Sequence, residues 1–250
     1  MNNIKYKDSY KFLKEDLKNK IVLLDGAMGT MLQKENLSAE DFGGEKYEGC
    51  NDYLVMTRPD IIKNIHKKYL ESGSDIIETN TFGALDIVLR DYDLENNTFN
   101  LNKRAAILAN ESIREYRKEN PAEKRHLYVA GALGPSNKSI SVTGGVTFNE
   151  LINSYYTAAC GLLEGNIDLI LFETIQDTRN LKAAYLALQK AMNEYYHVPL
   201  MLSFTIESTG TTLAGQTADA FYYAVHHMNP LSIGLNCATG PEFMTQFLKK

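Results

Sequence analysis

Six short stretches of the 250-residue chain carry side chains able to do chemistry, and each follows a run of apolar residues. They are Asp25-Gly-Ala-Met-Gly-Thr30, Glu78-Thr-Asn-Thr-Phe82, Gly131-Ala-Leu-Gly-Pro-Ser136, Glu173-Thr174, Thr205-Ile-Glu207 and Asn236-Cys-Ala-Thr-Gly240. Together they offer carboxylates, small hydroxyls, glycyl amides and one thiol, a set that suits a zwitterionic amino acid better than a phosphate ester. Asp25 and Glu173 can hold an ammonium group, while the amides of Gly26, Ala27 and Met28 can bind a carboxylate as a backbone nest. No lysine stands immediately at these points, so Schiff-base chemistry lacks its nucleophile.

The thiol of Cys237 is the most informative of these groups, because it can act as a soft zinc ligand or as a nucleophile. A lone cysteine is more often a packed core residue, and no CxxC or HExxH spacing lies near it. A hard-cation site built from Asp25, Glu78, Glu173 and Glu207 is a competing reading, since such ions take oxygen ligands. Cys160, in Tyr156-Thr-Ala-Ala-Cys-Gly161, reads as a helix-packing residue. Cys50 reads as a loop thiol able to line the same mouth. His66, His126, His226 and His227 read as surface or packing residues, and His197 falls at a strand start, away from the reactive ends.

Composition narrows the partners. With 44% hydrophobic and 23% charged residues the chain can bury a sizeable core. Its net charge of -5 argues against a phosphate-backbone binder, so no nucleic-acid partner is expected. Three scattered cysteines cannot make a disulfide framework and fit a reducing cytoplasm. The first twenty residues hold no continuous apolar segment, so neither a signal peptide nor a membrane partner is expected.

Positioning such groups requires strands that end at a common place. Apolar runs at Ile21 to Leu24, Asp75 to Glu78, Leu127 to Ala130, Asp168 to Phe172, Leu200 to Phe204 and Ser232 to Leu235 have the length of buried strands. Between them, apolar residues recur at helical spacing, as in Ile61, Ile62, Ile65, Tyr69 and Leu70. Pro59 and Asp60 suit a first helical turn, Thr147 and Glu150 have capping-box spacing, and Gly73 and Gly165 suit helix ends. Alternating strands and helices without hairpin signals imply an α/β fold with a parallel sheet. Reactive residues after nearly every strand favour a (β/α)8 TIM-type barrel over an open doubly wound sheet. Only six strand-helix units are countable, so the barrel reads as truncated, with residues 1–20 a helical extension carrying Tyr10, Leu13 and Leu17 and residues 21–250 the incomplete barrel.

Four longer motifs, Leu23-Leu-Asp-Gly-Ala-Met-Gly-Thr-Met-Leu-Gln33, Asp75-Ile-Ile-Glu-Thr-Asn-Thr-Phe82, Gly131-Ala-Leu-Gly-Pro-Ser-Asn137 and Gly234-Leu-Asn-Cys-Ala-Thr-Gly-Pro241, resemble the homocysteine S-methyltransferase family. Gly49-Cys-Asn-Asp-Tyr-Leu54, Leu213-Ala-Gly-Gln-Thr217 and Asn229-Pro-Leu-Ser-Ile-Gly-Leu-Asn-Cys237 are similar, within that family, to the homocysteine module of the cobalamin-dependent methionine synthases. The resemblance implies a barrel whose zinc is held by three cysteines, the first matched by Cys237 and the other two without counterparts here. It implies that Asp25 and Glu173 bind the homocysteine ammonium group and the amides of Gly26 to Met28 its carboxylate, with Asn236 beside them. It further implies a zinc-bound homocysteine thiolate attacking the methyl group of methylcobalamin, with the cobalamin and folate sites on other modules. A noncatalytic amino-acid-binding or assembly module is the alternative if the zinc site is incomplete.

Overall fold

The computed structural model describes residues 6–248. Its helices are α1 (Ser9–Asn19), α2 (Met28–Gln33), α3 (Leu54–Thr57), α4 (Pro59–Glu71), α5 (Asp86–Leu89), α6 (Thr98–Glu119), α7 (Phe148–Glu164), α8 (Thr178–Glu194), α9 (Ala218–Val225) and α10 (Pro241–Leu248). Its strands are β1 (Ile76–Glu78), β2 (Tyr128–Leu133), β3 (Leu169–Ile175), β4 (Leu200–Phe204) and β5 (Ser232–Leu235). All pairings are parallel, and the sheet order β1-β2-β3-β4-β5 follows the chain. A doubly wound sheet would reverse direction at a switch point. This one winds one way only, as a TIM-type barrel does, and forms an arc of it.

Alternation along each strand sorts side chains between two faces. Ile77, Val129, Ile170, Phe172, Leu200 and Leu202 face the helices and form the main core. Ile76, Tyr128, Ala130 and Leu169 face the concave side, with Met201 against them and Leu13 of α1 inserted among them. Leu13 is 1% exposed, and burying such a side chain stabilises by about 1.5–3 kcal/mol. Helix α1 thus plugs the end where the strands start, aided by the Tyr128 hydroxyl donating to Asp16 at 2.6 Å. The same alternation carries Glu78, Glu173, Ser203 and, one step past β5, Asn236 onto the concave face at the opposite end. There Ala132, Ser203 and Gly234 are small, which leaves room above the plug.

Local chemistry fixes the helix starts. Thr147 and Glu150 form a full capping box on α7, Pro59 opens α4, and Asp177 accepts from the Arg179 amide at 2.8 Å to cap α8. Gly73, just beyond α4, has φ +106°, and Gly165 caps the end of α7.

The expected first strand is corrected. Residues 21–24 make only an isolated parallel bridge, Leu24 to Ile76, so among the described residues five strands form rather than six. The Asp75 carboxylate takes the Leu23 amide at 3.0 Å while pairing with Lys20 at 2.6 Å, which competes with a regular ladder. Ile21 is 84% exposed and has no further strand to pack it. Residues 249 and 250, and residues 1–5 of the N-terminal extension, lie outside the described residues. Among the described residues no helix is long and apolar enough to cross a membrane.

Candidate functional site

The loop leaving residue 24 enters the concave side directly, because the Asp25 amide donates to the Ile76 carbonyl at 3.0 Å. The Asp25 side chain then turns onto the end of β1: Oδ2 accepts from the Glu78 amide at 2.9 Å. Its other oxygen, Oδ1, is buried with no hydrogen-bond partner. An acceptor left so costs free energy unless a donor arrives. Beside it, the amides of Gly26, Ala27 and Met28 find no acceptor among the described residues. The Tyr69 hydroxyl from α4 donates to the Ala27 carbonyl at 3.3 Å and holds this loop in place.

Four carboxyl groups crowd this region, and burial raises each of them. Burial pushes Asp25 up to about 8, against the pull of the Glu78 amide and with added repulsion from Glu173. Burial, then Glu173 and Asp25, lifts Glu78 well above the carboxylate range. Glu173 is pushed up to about 7 by burial and then by Asp52, and Asp52 itself reaches about 6 through burial. Desolvation and like charge both disfavour the ionised forms. Raised carboxyl groups gathered this way mark a candidate binding site.

On the far side, β3 ends in a bulge. Phe172 pairs with Leu202 but Ile175 with Phe204, so β3 spends three steps where β4 spends two. Phe172 and Ile175 both face the helices. The extra residue is Thr174, whose φ of +55° is a left-handed conformation rare for a β-branched side chain. Cys237 and Ala238 also have left-handed φ, +58° and +49°. Asn236 joins these turns: its Oδ1 accepts from the Thr174 amide at 3.0 Å and from the Ser203 hydroxyl at 2.7 Å, and its Nδ2 donates to Thr174 Oγ1 at 2.8 Å. The Thr174 hydroxyl in turn donates to the sulfur of Cys237 at 3.8 Å.

The structure therefore gathers Asp25, Gly26, Ala27, Met28, Glu173, Asn236 and Cys237 at one end of the sheet. Asn236 stands there as a cross-strand bracket, with its carbonyl oxygen spent on Thr174 and Ser203. Cys237 is exposed, unlike the buried Cys50 and Cys160. Cys50 does not line the mouth; at 3% exposure it packs with Phe42, Leu54 and Leu94, because the loop around it folds into its own small core. Glu207 turns into the loop after β4, where its amide donates to the Thr211 carbonyl at 2.8 Å. Among the described residues no three His, Cys, Asp or Glu side chains stand as ligands of one ion, so the hard-cation reading loses its donor set.

Asp52 escapes the reading of strand ends, and so does the backbone conformation of Thr174. Asp52 comes from a loop far from any strand end, pinned by the Gly83 amide on its Oδ1 at 2.9 Å and by Asn80 Nδ2 on the neighbouring Asn51 carbonyl at 2.7 Å. The Gly49-Cys-Asn-Asp-Tyr-Leu54 motif was the available signal. Thr174 looks like any strand residue until its backbone is seen.

Residues 22–250 match the family described as homocysteine S-methyltransferase. Among solved structures, the chain is similar to the metallated form of the homocysteine methyltransferase MmuM from Escherichia coli, with a TM-score of 0.79 and 22% identity over 95% of this chain and 81% of that one. The oxidised form of the same enzyme gives 0.74 and 21% over 90% and 76%. Its apo form gives 0.71 and 21% over 93% and 78%. At these identities the likeness establishes the fold.

Proposed function

Since this chain belongs to the homocysteine S-methyltransferase family, we propose that its concave site binds homocysteine and presents the sulfur for methylation to methionine. The observation that carries this reading is the unpartnered Oδ1 of Asp25, buried beside carboxyls that repel it. An ammonium group supplies both the missing donor and the missing charge. Glu173 closes on the same ammonium from β3, and the free amides of Gly26, Ala27 and Met28 take the carboxylate. The short thiol-bearing side chain then extends toward Cys237.

The donor type at Cys237 fits zinc, and the donor count among the described residues does not complete a site. Zinc is therefore proposed only as far as Cys237 contributing one ligand. When bound, zinc would keep the homocysteine thiol ionised near neutrality. The methyl donor is proposed to be methylcobalamin carried on a cobalamin module, with a folate module restoring it, as in methionine synthases. Three free thiols accord with a reducing compartment, and the cytoplasm is proposed on that ground. Among the described residues Cys237 has no further thiol beside it, which favours one second reading, an amino-acid-binding module that holds the substrate without reacting.

The test is calorimetric titration with homocysteine and with methionine, followed by transfer of labelled methyl from methylcobalamin. Asp25→Asn and Glu173→Gln should each weaken binding about ten- to a hundredfold, the worth of a charged hydrogen bond. Wild-type chain that binds neither amino acid removes the proposal. Binding without label transfer in any zinc-supplemented mixture leaves the second reading.

A further inference from the structure

Asn236 and Thr174 make a hydrogen-bonded chain whose direction is fully determined. Oδ1 of Asn236 meets two donors, the Thr174 amide and the Ser203 hydroxyl. A flipped amide would set its NH2 against both, so the oxygen must lie there. Nδ2 is then directed at Thr174 Oγ1 and fills a lone pair of that oxygen. A hydroxyl has one proton, and the acceptor in reach is the sulfur of Cys237. Ser203 to Asn236 to Thr174 to Cys237 is thus a relay of orientation running from β4 through the end of β5 to the end of β3 and back.

The same bonds hold Thr174 in its left-handed conformation, a state that costs on the order of 1–3 kcal/mol unless the surroundings enforce it. That conformation creates the bulge after Glu173, which leaves the Glu173 carboxylate on the concave face while returning Ile175 to the helix side. Glu173 and Cys237 belong to different strands and do not bond to each other among the described residues. Their common tie is Thr174, adjacent in sequence to the first and hydrogen-bonded to the second.

Resting on the homocysteine reading above, we infer that Asn236 and Thr174 are positioning residues: a side-chain clasp that fixes the ammonium-binding Glu173 against the sulfur-handling Cys237 and places a hydroxyl donor on the Cys237 sulfur. A donor on a thiolate withdraws electron density, so the clasp tempers the sulfur as a ligand or nucleophile as well as placing it.

The experiment measures alkylation of Cys237 by iodoacetamide in the intact chain, read by mass spectrometry of its peptide, at a pH above the ordinary thiol range so that thiolate attacks in every variant. Thr174→Val removes the proton while keeping the shape. Asn236→Asp keeps the acceptor for the Thr174 amide and Ser203 but sets a second carboxylate oxygen against the Thr174 hydroxyl, which swings the proton off the sulfur. Both should alkylate about three- to tenfold faster, the loss of one hydrogen bond, and the double variant no faster than either. Thr174→Ser should stay within twofold of wild type. Unchanged or slower rates in the folded variants, additive effects, or a Ser variant that behaves like Val would overturn the clasp. If Thr174→Val does not fold, Asn236→Asp decides alone. Chain that fails to bind homocysteine but shows this pattern loses the proposed function and keeps the clasp; chain that binds homocysteine with flat rates loses only the clasp.

Discussion

Asp25 accepts the backbone amide of Glu78 at 2.9 Å through one oxygen, and keeps the other buried and unpaired next to the Glu78 and Glu173 carboxyls. One hydrogen bond is too little for a carboxylate removed from water, so burying Asp25 in its ionised form costs stability.

That tension gives a signed pH dependence. Asp25 titrates near 8 when folded and near about 4 when unfolded, so between those values the folded chain holds the extra proton and stability falls as pH rises. Asp25→Asn removes this loss. Urea unfolding should find the variant more stable than wild type by up to about 5 kcal/mol at pH 8, about four pH units at about 1.4 kcal/mol each, and by about 1 kcal/mol at pH 4.5. A gain of the same size at both pH values would mean that the carboxyl is not titrating in this window. In the wild type, ammonium binding near pH 7 should release protons, seen as a buffer-dependent binding enthalpy.

Cys237 should be the first thiol to react. It is exposed, whereas Cys50 and Cys160 are buried and burial lifts both, Cys50 to about 12. Limiting iodoacetamide at pH 8 should label Cys237 at least about tenfold faster than the other two. Comparable labelling of Cys50 in folded chain would place its loop open rather than packed.

His66 of α4 is fully buried with neither ring nitrogen bonded, and burial holds it down to about 4. The unfolded imidazole takes its proton near about 6.5, so stability contributed at neutral pH is lost as pH falls from there toward 4. His66→Leu keeps similar bulk and drops two unpaired polar atoms. It should raise stability by about 1 kcal/mol at pH 7 and by more at pH 5. Denaturant titration at the two pH values reads this directly, and a destabilised variant would show that His66 has a partner.

Helix α7 meets α6 through Gly161 and Gly165. A methyl at Gly161 would strike the Phe99 carbonyl, and one at Gly165 would stand 2.7 Å from the Lys103 carbonyl. Both obstacles are backbone, so the helices must separate. Gly161→Ala should cost about 1–3 kcal/mol despite the better helix propensity of alanine. Thermal unfolding checks it, and a neutral or raised midpoint would contradict the close approach.

Much of the arrangement is legible in the residues themselves. Apolar runs located β1 to β5, the Thr147–Glu150 spacing located the start of α7, and Asp25, Glu78, Glu173 and Cys237 lie near the C-terminal ends of strands or a strand-like run, where the residue pattern put them. Local periodicity and capping are properties of neighbours in sequence, so sequence carries them. Residues 21–24 misled because a strand is completed by its partners, and here one bridge to Ile76 is all that forms.

Distance along the chain hid the rest. Asp52 reaches the site only because Gly83 and Asn80 hold its loop, Cys50 turned inward because a separate small core claimed it, and Asn236 faces strands rather than open space because Ser203 and Thr174 lie across from it. Which side chains stand at the strand ends is a matter of residue types near the end of each strand. Which groups meet at the strand ends, and which way the proton of Thr174 points, follows from through-space contacts such as that between Thr174 and Cys237, 63 residues apart, and only the folded sheet sets those.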